Sequence, residues 1–568
     1  MTLPNTYSLD MAFVPKTAIM FSELIDIIDR DPSLTDIRRR DMISGLRRVA
    51  KAINRTPQDV PCHGRWLQPR ISNVAHAALG ITKKAWQNAV SDVRSAMAHV
   101  GIIERRQNRL SDLSPAWQKR WSSLLASDQS RSLQPALCRF VHFLSNRGIA
   151  PDKVCPEHAA IYKKALQHNE ISKAPEIAQR AAMTSWNLAA RSIPNWPQIE
   201  LPIENRQRIF CLSNDDFPQR FIADLNRLMG QLSHPDPLGD IDRRRALRPS
   251  TIDQYRRQII RFASEVVHSG VPIAEVTTVA SLLAPGIVER GLRQMLSRTD
   301  DTVTKQISEM AGLLRNLGKV TGQSEATKQH LAKLAQRLAR DPQKGMTCKN
   351  RERLRVFQDD LSMLRLLRLP EQLFLYPPNG KTNHFTVGLC REDAVAIAIL
   401  LVCPIRIKNL AGIHLEQHIE RPGDGRAYLV LTEEDTKNGR PLEFELPAEV
   451  VRMIDRHLAQ RSPHMCPPGT PWLFPRRDGK GPVLSSQLAD RIKSRIRNAI
   501  GFTVNAHLFR HLAVMNWLDA YPGAYEGARR LLGHSEVSHT INMYSGLEVK
   551  SATRAFADLI ETRKGRRP

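Results

Sequence analysis

The sequence predicts a mainly α, multidomain protein whose last domain is a mostly helical α+β domain with a small antiparallel β-hairpin or sheet. Apolar residues recur at helical spacing over almost all of the first 345 residues. After about residue 350 helices continue, but two short segments read as strands, and the second alternates apolar and polar side chains. An Asn-Gly pair lies between those two segments, and this dipeptide is a strong hairpin-turn signal.

The length of the chain predicts several domains. With about 150 residues per domain, 568 residues correspond to roughly three or four domains. Three linker-like segments, rich in proline, glycine or charge, interrupt the helical periodicity. We therefore expect a basic helical N-terminal domain over 1–125, a second helical domain over 126–240, a third over 241–345, and the α+β domain over 350–568.

The charge balance indicates a polyanionic partner. Lys and Arg number 83 against 57 Asp and Glu, which gives a formal net charge of +26. The hydrophobic fraction of 42% is ordinary for a globular protein and excludes disorder as the main state. DNA or RNA is the default partner for such a chain. A ribosome-associated or merely basic protein stays open at this point.

Cysteine usage and hydropathy predict a cytoplasmic protein. The eight cysteines include no CxxC pair, which argues against disulfides and a cysteine-rich zinc site. The first ten residues lack the basic and apolar regions of a secretion signal. The longest apolar run, Ala394 to Ile405, is well short of the ~20 residues that span a bilayer.

Three helices of the N-terminal part are predicted from apolar spacing, over 36–54, 132–146 and 250–269. Parts of the last two resemble each other, because RFVHFLSNRGIAPDKV and RFASEVVHSGVPIAEV have equal length and a glycine at the same offset. Gly148 and Gly270 are expected to end their helices. The similarity indicates a repeated helix–turn unit, although chance resemblance between two amphipathic helices explains it equally well.

The elements of the last domain follow from its patterns. Residues Glu392 to Val402 predict an apolar helix. Tyr428–Thr432 and Leu442–Leu446 predict two strands, joined through Asn438-Gly439. From Ser485 onward the periodicity is helical again.

Two basic residues stand out at the ends of predicted elements. Arg406 follows the apolar helix, and Lys437 lies at the tip of the predicted hairpin. Taken singly, each residue type is more often a solvated or ion-paired surface residue, so neither is specific evidence alone.

His507 and Arg510 are three residues apart and share one face of a predicted helix. Asn505 is a suitable N-cap, which would put both side chains in a first turn that favours a phosphate. His507 and His511 could instead be a zinc pair at helical spacing. That metalloprotease motif requires Glu after the first His, where this chain has Leu508, and Arg510 would repel the cation, so zinc is disfavoured.

The last candidates are His534 and Tyr544. Gly533 is a natural helix end, so His534 is expected to emerge into a junction between helices. A tyrosine at helical spacing is more often a core residue than a nucleophile, which is the ordinary alternative for Tyr544.

Together these residues resemble a known family. The order Arg406, Lys437, HLFRH with His507 and Arg510, LLGH with His534, and Tyr544 is similar to the catalytic domain of the tyrosine recombinases, the phage integrase superfamily. The resemblance covers roughly residues 350–560. It implies that residues 241–345 are a SAM-like core-binding domain, and it assigns nothing to residues 1–240.

The resemblance implies a role for each residue. Arg406 and Arg510 would bind the scissile phosphate, His507 would assist by donating to it or moving a proton, and His534 would hydrogen-bond the phosphate or support the nucleophile. Tyr544 would attack phosphorus and form a 3′-phosphotyrosyl link. Lys437 would protonate the leaving 5′-oxygen, the role of a general acid. No metal or other cofactor is implied.

The chain departs from the family pattern at two places. Asn409 stands where an acidic residue is frequent, so it would give weaker support or leave that task to Glu416. Tyr544 lies ten residues after His534, one more than in many relatives, so the loop between them must absorb the extra residue. Tyr521 and Tyr525 are rival tyrosines, but they flank a Pro-Gly pair and are expected in a turn.

The resemblance implies a site-specific recombinase or integrase that serves a mobile genetic element. It would act on double-stranded DNA in the cytoplasm and be associated with the nucleoid when bound. A homotetramer in the synaptic complex and helper recombinases or DNA-bending proteins are the partners it implies, with no membrane. Two alternatives stay open: a type IB-like topoisomerase, and a DNA-binding accessory protein with a degenerate catalytic domain.

Overall fold

The computed structural model describes residues 14–15, 17–203, 211–235, 246–341, 345–377, 384–463, 465–544 and 549–565. The chain divides into two compact units. One combines residues 1–203 with 344–568, and the other comprises residues 204–343. The mainly α fold class with a small antiparallel sheet is confirmed.

The N-terminal part of the first unit is helical and has two hydrophobic clusters. Its α-helices within the described ranges are α1 (Phe21–Arg30), α2 (Asp36–Ala52), α3 (Gly64–Asn73), α4 (Lys83–His99), α5 (Pro115–Leu125), α6 (Ser130–Asn146), α7 (Glu157–Asn169) and α8 (Pro175–Ser192). Helix α2 is typical, because Met42, Leu46 and Val49 are buried while Arg47 and Arg48 are exposed. The predicted helices over 36–54 and 132–146 are thus confirmed within two residues.

The second unit is a helical bundle around one hydrophobic cluster. It contains α9 (Gln219–Ser233), α10 (Pro249–His268), α11 (Pro285–Ser297), α12 (Lys305–Val320) and α13 (Glu325–Arg337). Residues of α9, such as Phe221 and Leu225, belong to the same cluster as those of α10 to α13. The division of the chain into the four predicted domains stays a prediction.

The two similar segments of α6 and α10 have the same local structure. Gly148 and Gly270 follow these helices with φ of 68° and 91°, which an L side chain adopts only with strain. A single 3₁₀ turn follows each, Pro151–Lys153 and Ile273–Glu275. The expected helix ends at both glycines are confirmed.

The C-terminal part of the first unit surrounds a largely apolar helix. Its helices are α14 (Cys348–Arg355), α15 (Asp360–Leu367), α16 (Leu369–Leu375), α17 (His384–Val402), α18 (Ile407–Ala411), α19 (Leu415–His418), α20 (Ala448–Ala459), α21 (Ser485–Ile500), α22 (Leu508–Ala520), α23 (Tyr525–Leu532), α24 (Val537–Tyr544) and α25 (Val549–Gly565). Helix α17 contains the predicted apolar helix and is buried over most of its length. Its buried Glu392 and Asp393 are neutralised by Arg491 and Arg495 of α21.

The sheet has three antiparallel strands in the order β1 (Ile419–Glu420), β2 (Tyr428–Leu431) and β3 (Leu442–Glu445). Residues Tyr428 and Glu445 are partners at one end of the hairpin, and Leu431 and Leu442 at the other. Both predicted strands are confirmed within one residue. Strand β1 was not predicted, because two residues are too few for a periodicity.

No α-helix in the described ranges is both long enough and apolar enough to cross a membrane.

Candidate active site

Arg510 lies at the centre of the site, in the first turn of α22. Helix α22 begins at Leu508, whose backbone N–H donates to Asn505 Oδ1 at 2.8 Å. The N-cap residue is His507 rather than the predicted Asn505, which instead supports the turn before the helix. The Arg510 side chain is 3% exposed, and its two terminal nitrogens donate to the carbonyls of Pro404 (2.6 Å) and Leu532 (2.7 Å). These bonds hold the guanidinium between the start of α18 and the end of α23.

Arg406 is half-buried immediately before α18. Desolvation lowers the pKa of its guanidinium. The positive charge of Arg406 also affects Arg510. Burial, and then the charge of Arg406, lower the pKa of Arg510 to about 10. Two guanidinium groups are therefore concentrated at one place, which favours a bound anion over either charge alone.

His507 precedes α22, one turn before His511. The two imidazole rings are 4.8 Å apart in an edge-to-face arrangement. Desolvation, and then the charges of Arg510 and Arg406, lower the pKa of His507. The side chain of His507 is exposed, so it stands at the entrance to the two arginines.

Tyr544 is the last residue of α24, and its side chain is 3% exposed. Its hydroxyl lies 2.9 Å from His511 Nδ1, and the two rings are 5.5 Å apart. Burial raises the pKa of Tyr544 to about 12, although the charge of Arg510 opposes this shift. The phenol is thus held neutral next to the arginines.

His511 is buried between Tyr544 and Asn350. Its second ring nitrogen, Nε2, lies 3.4 Å from the side-chain nitrogen of Asn350. Burial, and then the charges of His507 and Arg510, lower the pKa of His511 to about 4, so the ring is neutral at pH 7. Sequence reasoning considered His511 only as a zinc ligand and missed this contact.

His534 emerges after Gly533, which ends α23 with φ of 62°. The His534 Nδ1 atom lies 3.0 Å from the hydroxyl of Thr540 in α24. Burial, and then the charges of Arg510 and His539, lower the pKa of His534 to about 4. Thr540 and Tyr544 are four residues apart and share the buried face of α24, so this helix carries both the support of His534 and the phenol.

Lys437 is exposed on the loop between β2 and β3. Its loop is anchored at two points. Asn409 Nδ2 donates to the Asp435 carbonyl at 3.3 Å, and Asn438 Nδ2 donates to the Gly533 carbonyl. Asn409, which stands where an acidic residue is frequent in the family, therefore still links α18 to the loop. Glu416, the alternative support, is exposed.

The hairpin also packs directly on the end of α23. A Cβ atom added to Gly533 would lie 2.7 Å from Leu442 Cδ2, closer than non-bonded carbons approach. The left-handed backbone at Gly533 favours glycine, and any larger residue would also have to displace the Leu442 side chain. The position of Lys437 is therefore tied to that of His534.

The structure brings five of the six predicted residues into one group, namely Arg406, His507, Arg510, His534 and Tyr544. Lys437 is connected to this group through its loop, with its own side chain in solvent. The rival tyrosines lie elsewhere: Tyr521 is exposed and packs on Trp517, and Tyr525 begins α23.

Residues 387–550 match the family model described as the phage integrase family. We call the C-terminal part of the first unit, which contains these residues, the integrase domain. The resemblance noted in the sequence is confirmed for the matched residues, and the match supports the expected enzyme class, a tyrosine-type site-specific recombinase. The matched range contains all six predicted residues of the site.

Several solved structures are similar to the chain. The crystal structure of XerA recombinase is 14% identical, covers 61% of this chain and 99% of its own, and has a TM-score of 0.26. A post-cleavage complex of XerH recombinase with the palindromic difH substrate is 11% identical over 61% of this chain and 98% of its own, with a TM-score of 0.34. The integrase from mycobacterium phage Brujita is 14% identical over 58% and 89%, with a TM-score of 0.22. A search of curated proteins found no match.

Proposed function

We propose that the protein cuts and rejoins double-stranded DNA through a covalent 3′-phosphotyrosyl link to Tyr544. One observation supports the proposal most directly. The Tyr544 hydroxyl lies 2.9 Å from His511 Nδ1, beside the buried guanidinium of Arg510. A phenol is a poor nucleophile at neutral pH, and adjacent cations stabilise the phenolate that attacks. The wider role, service to a mobile genetic element, follows only from the family resemblance and is part of the same proposal.

Arg406 and Arg510 bind the non-bridging oxygens of the scissile phosphate in this proposal. Arg510 uses two of its five N–H groups on backbone carbonyls, which fixes the plane of the guanidinium and keeps the others for the phosphate. His507 donates at the entrance. Preorganised donors of this kind stabilise the charge that develops on phosphorus in the transition state.

The chemical step exchanges one phosphoester bond for another. The Tyr544 hydroxyl releases its proton to water, its oxygen attacks phosphorus, a P–O bond to tyrosine forms, and the P–O5′ bond breaks. Lys437 gives a proton to the leaving 5′-oxygen. Because the phosphodiester energy is retained in the tyrosyl link, attack by the 5′-hydroxyl of another strand restores the DNA without a nucleotide cofactor.

Tyr544 must be uncovered before it attacks. With 3% of its surface exposed, the phenol does not reach a DNA phosphate. We infer that DNA binding opens the surroundings of α24, which begins at Val537, while the Tyr544 hydroxyl keeps its contact with His511. The same helix holds Thr540 against His534.

The last helix supports assembly into a synaptic homotetramer. Phe556 and Leu559 of α25 are 63% and 47% exposed and are three residues apart, so they lie on one helix face. An exposed apolar face is typical of a protein interface. A neighbouring copy of the chain is the occupant we propose, and helper proteins act in addition to it.

Covalent trapping tests the chemistry. The full-length protein is mixed with nicked duplexes drawn from the DNA that flanks its gene, with EDTA present and ATP absent, and run on a denaturing gel. We expect a slow protein–DNA band that disappears in Tyr544→Phe and persists in the matched control Tyr521→Phe. Tight duplex binding with no band on any duplex would favour the accessory-protein alternative.

Recombination between two sites distinguishes the recombinase from a type IB-like topoisomerase. A plasmid with two copies of the trapped duplex should yield deletion or inversion products. Relaxation of supercoils without any such product would favour the topoisomerase alternative, since that reaction needs no pairing of sites.

A further inference from the structure

A small basic cavity lies far from the integrase domain in sequence, where α4, α6 and α7 meet. It has a volume of about 70 Å³. We call it the arginine pocket and define it by Arg94 of α4, Arg106 after α4, Arg139 and His142 of α6, and Glu170 after α7. Its helices come from both N-terminal hydrophobic clusters.

The charges in the arginine pocket do not balance. Glu170 is 1% exposed and accepts from Arg106 Nη2 at 2.8 Å and from Arg139 Nη1. Burial alone would raise the pKa of Glu170, but the charges of Arg106 and Arg139 prevail and hold it at about 2. One carboxylate thus faces three guanidinium groups. Glu104 and Arg105 also line the cavity, and Glu104 pairs with Arg147 outside it.

Arg94 carries part of the excess charge. Its Nη1 donates to the Asn169 carbonyl at 2.6 Å, while its buried Nε has no hydrogen-bond partner in the described ranges. Burial, and then the charge of Arg106, lower the pKa of Arg94 to about 9. A bound anion would relieve both the repulsion and the unpaired N–H.

His142 supplies the second, independent observation. It is 3% exposed, it lines the cavity, and neither of its ring nitrogens has a partner among the described residues. Buried polar groups are almost always hydrogen-bonded, so an unpaired imidazole at a basic cavity points to a ligand with acceptor oxygens.

We propose that the arginine pocket binds a phosphoryl oxyanion. Arg94 Nε and the N–H of His142 donate to its oxygens, and Arg106 and Arg139 neutralise its charge from the side of Glu170. The cavity is far smaller than the ~300 Å³ or more of a pocket for a small organic ligand, so it suits a single compact ion or one phosphate of a chain. The two sources of this chemistry are a free phosphate ion and a backbone phosphate of DNA. The inference does not depend on the activity of Tyr544.

A purely structural ion cluster makes a different prediction for His142. If the pocket only joins the two N-terminal clusters, replacing an unpaired buried imidazole by an apolar side chain is neutral or stabilising and changes no ligand affinity. If the pocket binds an oxyanion, His142→Leu removes a donor and weakens binding.

Calorimetric titration of the full-length protein with inorganic phosphate, at constant ionic strength set by chloride, tests the free ion. We expect saturable binding at one site and at least a tenfold loss of affinity in Arg94→Gln and in His142→Leu. Arg38→Gln is the matched control, because Arg38 forms a one-to-one ion pair with Asp92, which does not line the pocket. His142→Leu keeps the test valid if Arg94→Gln fails to fold.

Duplex binding of the same variants identifies the source. If a DNA phosphate occupies the pocket, both variants weaken duplex binding, and the slope of log affinity against log salt falls by about one. If free phosphate is the ligand, the variants lose phosphate affinity alone. The inference is overturned if wild type shows no saturable phosphate binding and the variants keep wild-type duplex affinity, or if Arg38→Gln loses as much as they do.

Discussion

His511 Nδ1 lies 2.9 Å from the hydroxyl oxygen of Tyr544, and both side chains are buried. The other ring nitrogen faces Asn350 Nδ2 at 3.4 Å. An amide nitrogen only donates, so this amide orientation assigns the ring proton of the neutral His511 to Nδ1. His511 then donates to the phenol oxygen, which stabilises that oxygen as it loses its proton.

We therefore expect His511→Gln to slow formation of the covalent adduct by about tenfold, the equivalent of ~1.4 kcal/mol for one hydrogen bond. The rate is measured with nicked duplex in single turnover, and duplex affinity should stay within about twofold of wild type. Asn350→Ala, which only frees the ring proton, should have a smaller effect.

A double-mutant cycle separates this contact from general damage to the fold. The free energies of unfolding of His511→Gln, Tyr544→Phe and the double variant should give a coupling of about 1 kcal/mol. A coupling near zero, or an adduct rate of His511→Gln equal to wild type, would contradict the assigned role.

The role of Lys437 as general acid can be tested with a substrate whose leaving group needs no proton. Lys437→Ala should slow cleavage of normal DNA by about 10²–10⁴-fold, because the 5′-oxygen then leaves unprotonated. A duplex with sulfur in place of that bridging oxygen needs no general acid, since a thiolate is a stable leaving group. Lys437→Ala should cleave it at nearly the wild-type rate.

A substitution in the loop that carries Lys437 should have a smaller effect of the same kind. Asn438→Ala removes the bond to Gly533, so it should slow cleavage of normal DNA moderately and have little effect on the sulfur substrate. Arg510→Ala is the control that sulfur should not rescue, because its proposed role is to bind the non-bridging oxygens. If the sulfur-containing duplex restored the cleavage rate of Arg510→Ala as fully as that of Lys437→Ala, Lys437 would not be the general acid.

The sequence could predict the local elements of the domain. Alternation in Leu442 to Leu446 and the Asn438-Gly439 pair predicted the hairpin, and Gly533 predicted the end of a helix. The same patterns could not show that the hairpin rests on Gly533, because that contact joins segments about ninety residues apart and depends on packing.

The contact between His511 and Tyr544 was missed for the same reason, because it too joins segments that are distant in sequence. His511 was judged by its spacing from His507, a local criterion, whereas its partner Tyr544 comes from another helix. The burial of Tyr544 was equally invisible, since helical spacing alone does not say whether a final tyrosine faces solvent or core. The HxxRH pattern together with Tyr544 was the one available signal.

The two arginines of the site should differ in their effect on stability. Arg510 donates to two buried carbonyls, of Pro404 and Leu532, whereas Arg406 is half-buried, with no side-chain hydrogen bond to the described residues. A lysine cannot reproduce the guanidinium fork. Arg510→Lys should therefore lower the free energy of unfolding by about 1–3 kcal/mol, the cost of an unpaired buried carbonyl.

Arg406→Lys is the matched substitution and should leave the free energy of unfolding within about 0.5 kcal/mol of wild type. Both variants should reduce adduct formation, because both change the proposed phosphate contacts. Urea unfolding followed by circular dichroism measures the first quantity, and the nicked-duplex assay the second. Equal stability of the two variants would mean that the carbonyl contacts of Arg510 contribute nothing to folding.

The integrase domain should lose stability in mild acid, and His457 of α20 is one identifiable cause. Its side chain is 1% exposed, with no partner for Nε2 in the described part of the chain. Burial, and then the charges of Arg461 and Arg391, lower the pKa of His457 to about 3, against about 6.5 in an unfolded chain. The folded state therefore binds fewer protons than the unfolded state between these values, so stability is present above pH 6.5 and is lost as the pH falls towards 3.

The loss from His457 alone should be about 2 kcal/mol between pH 7 and pH 5. His457→Leu removes the titrating group, so its free energy of unfolding should fall less than that of wild type over this interval, by roughly the same 2 kcal/mol. His384→Leu is the control in the same domain, because His384 is exposed, and its pH dependence should follow wild type. Urea unfolding at pH 7, 6 and 5 gives the three curves. If the free energies of unfolding of His457→Leu and wild type had the same pH dependence, His457 would have to be protonated in the folded state as readily as in the unfolded chain. That result would contradict the prediction, because it would place an uncompensated positive charge beside Arg461.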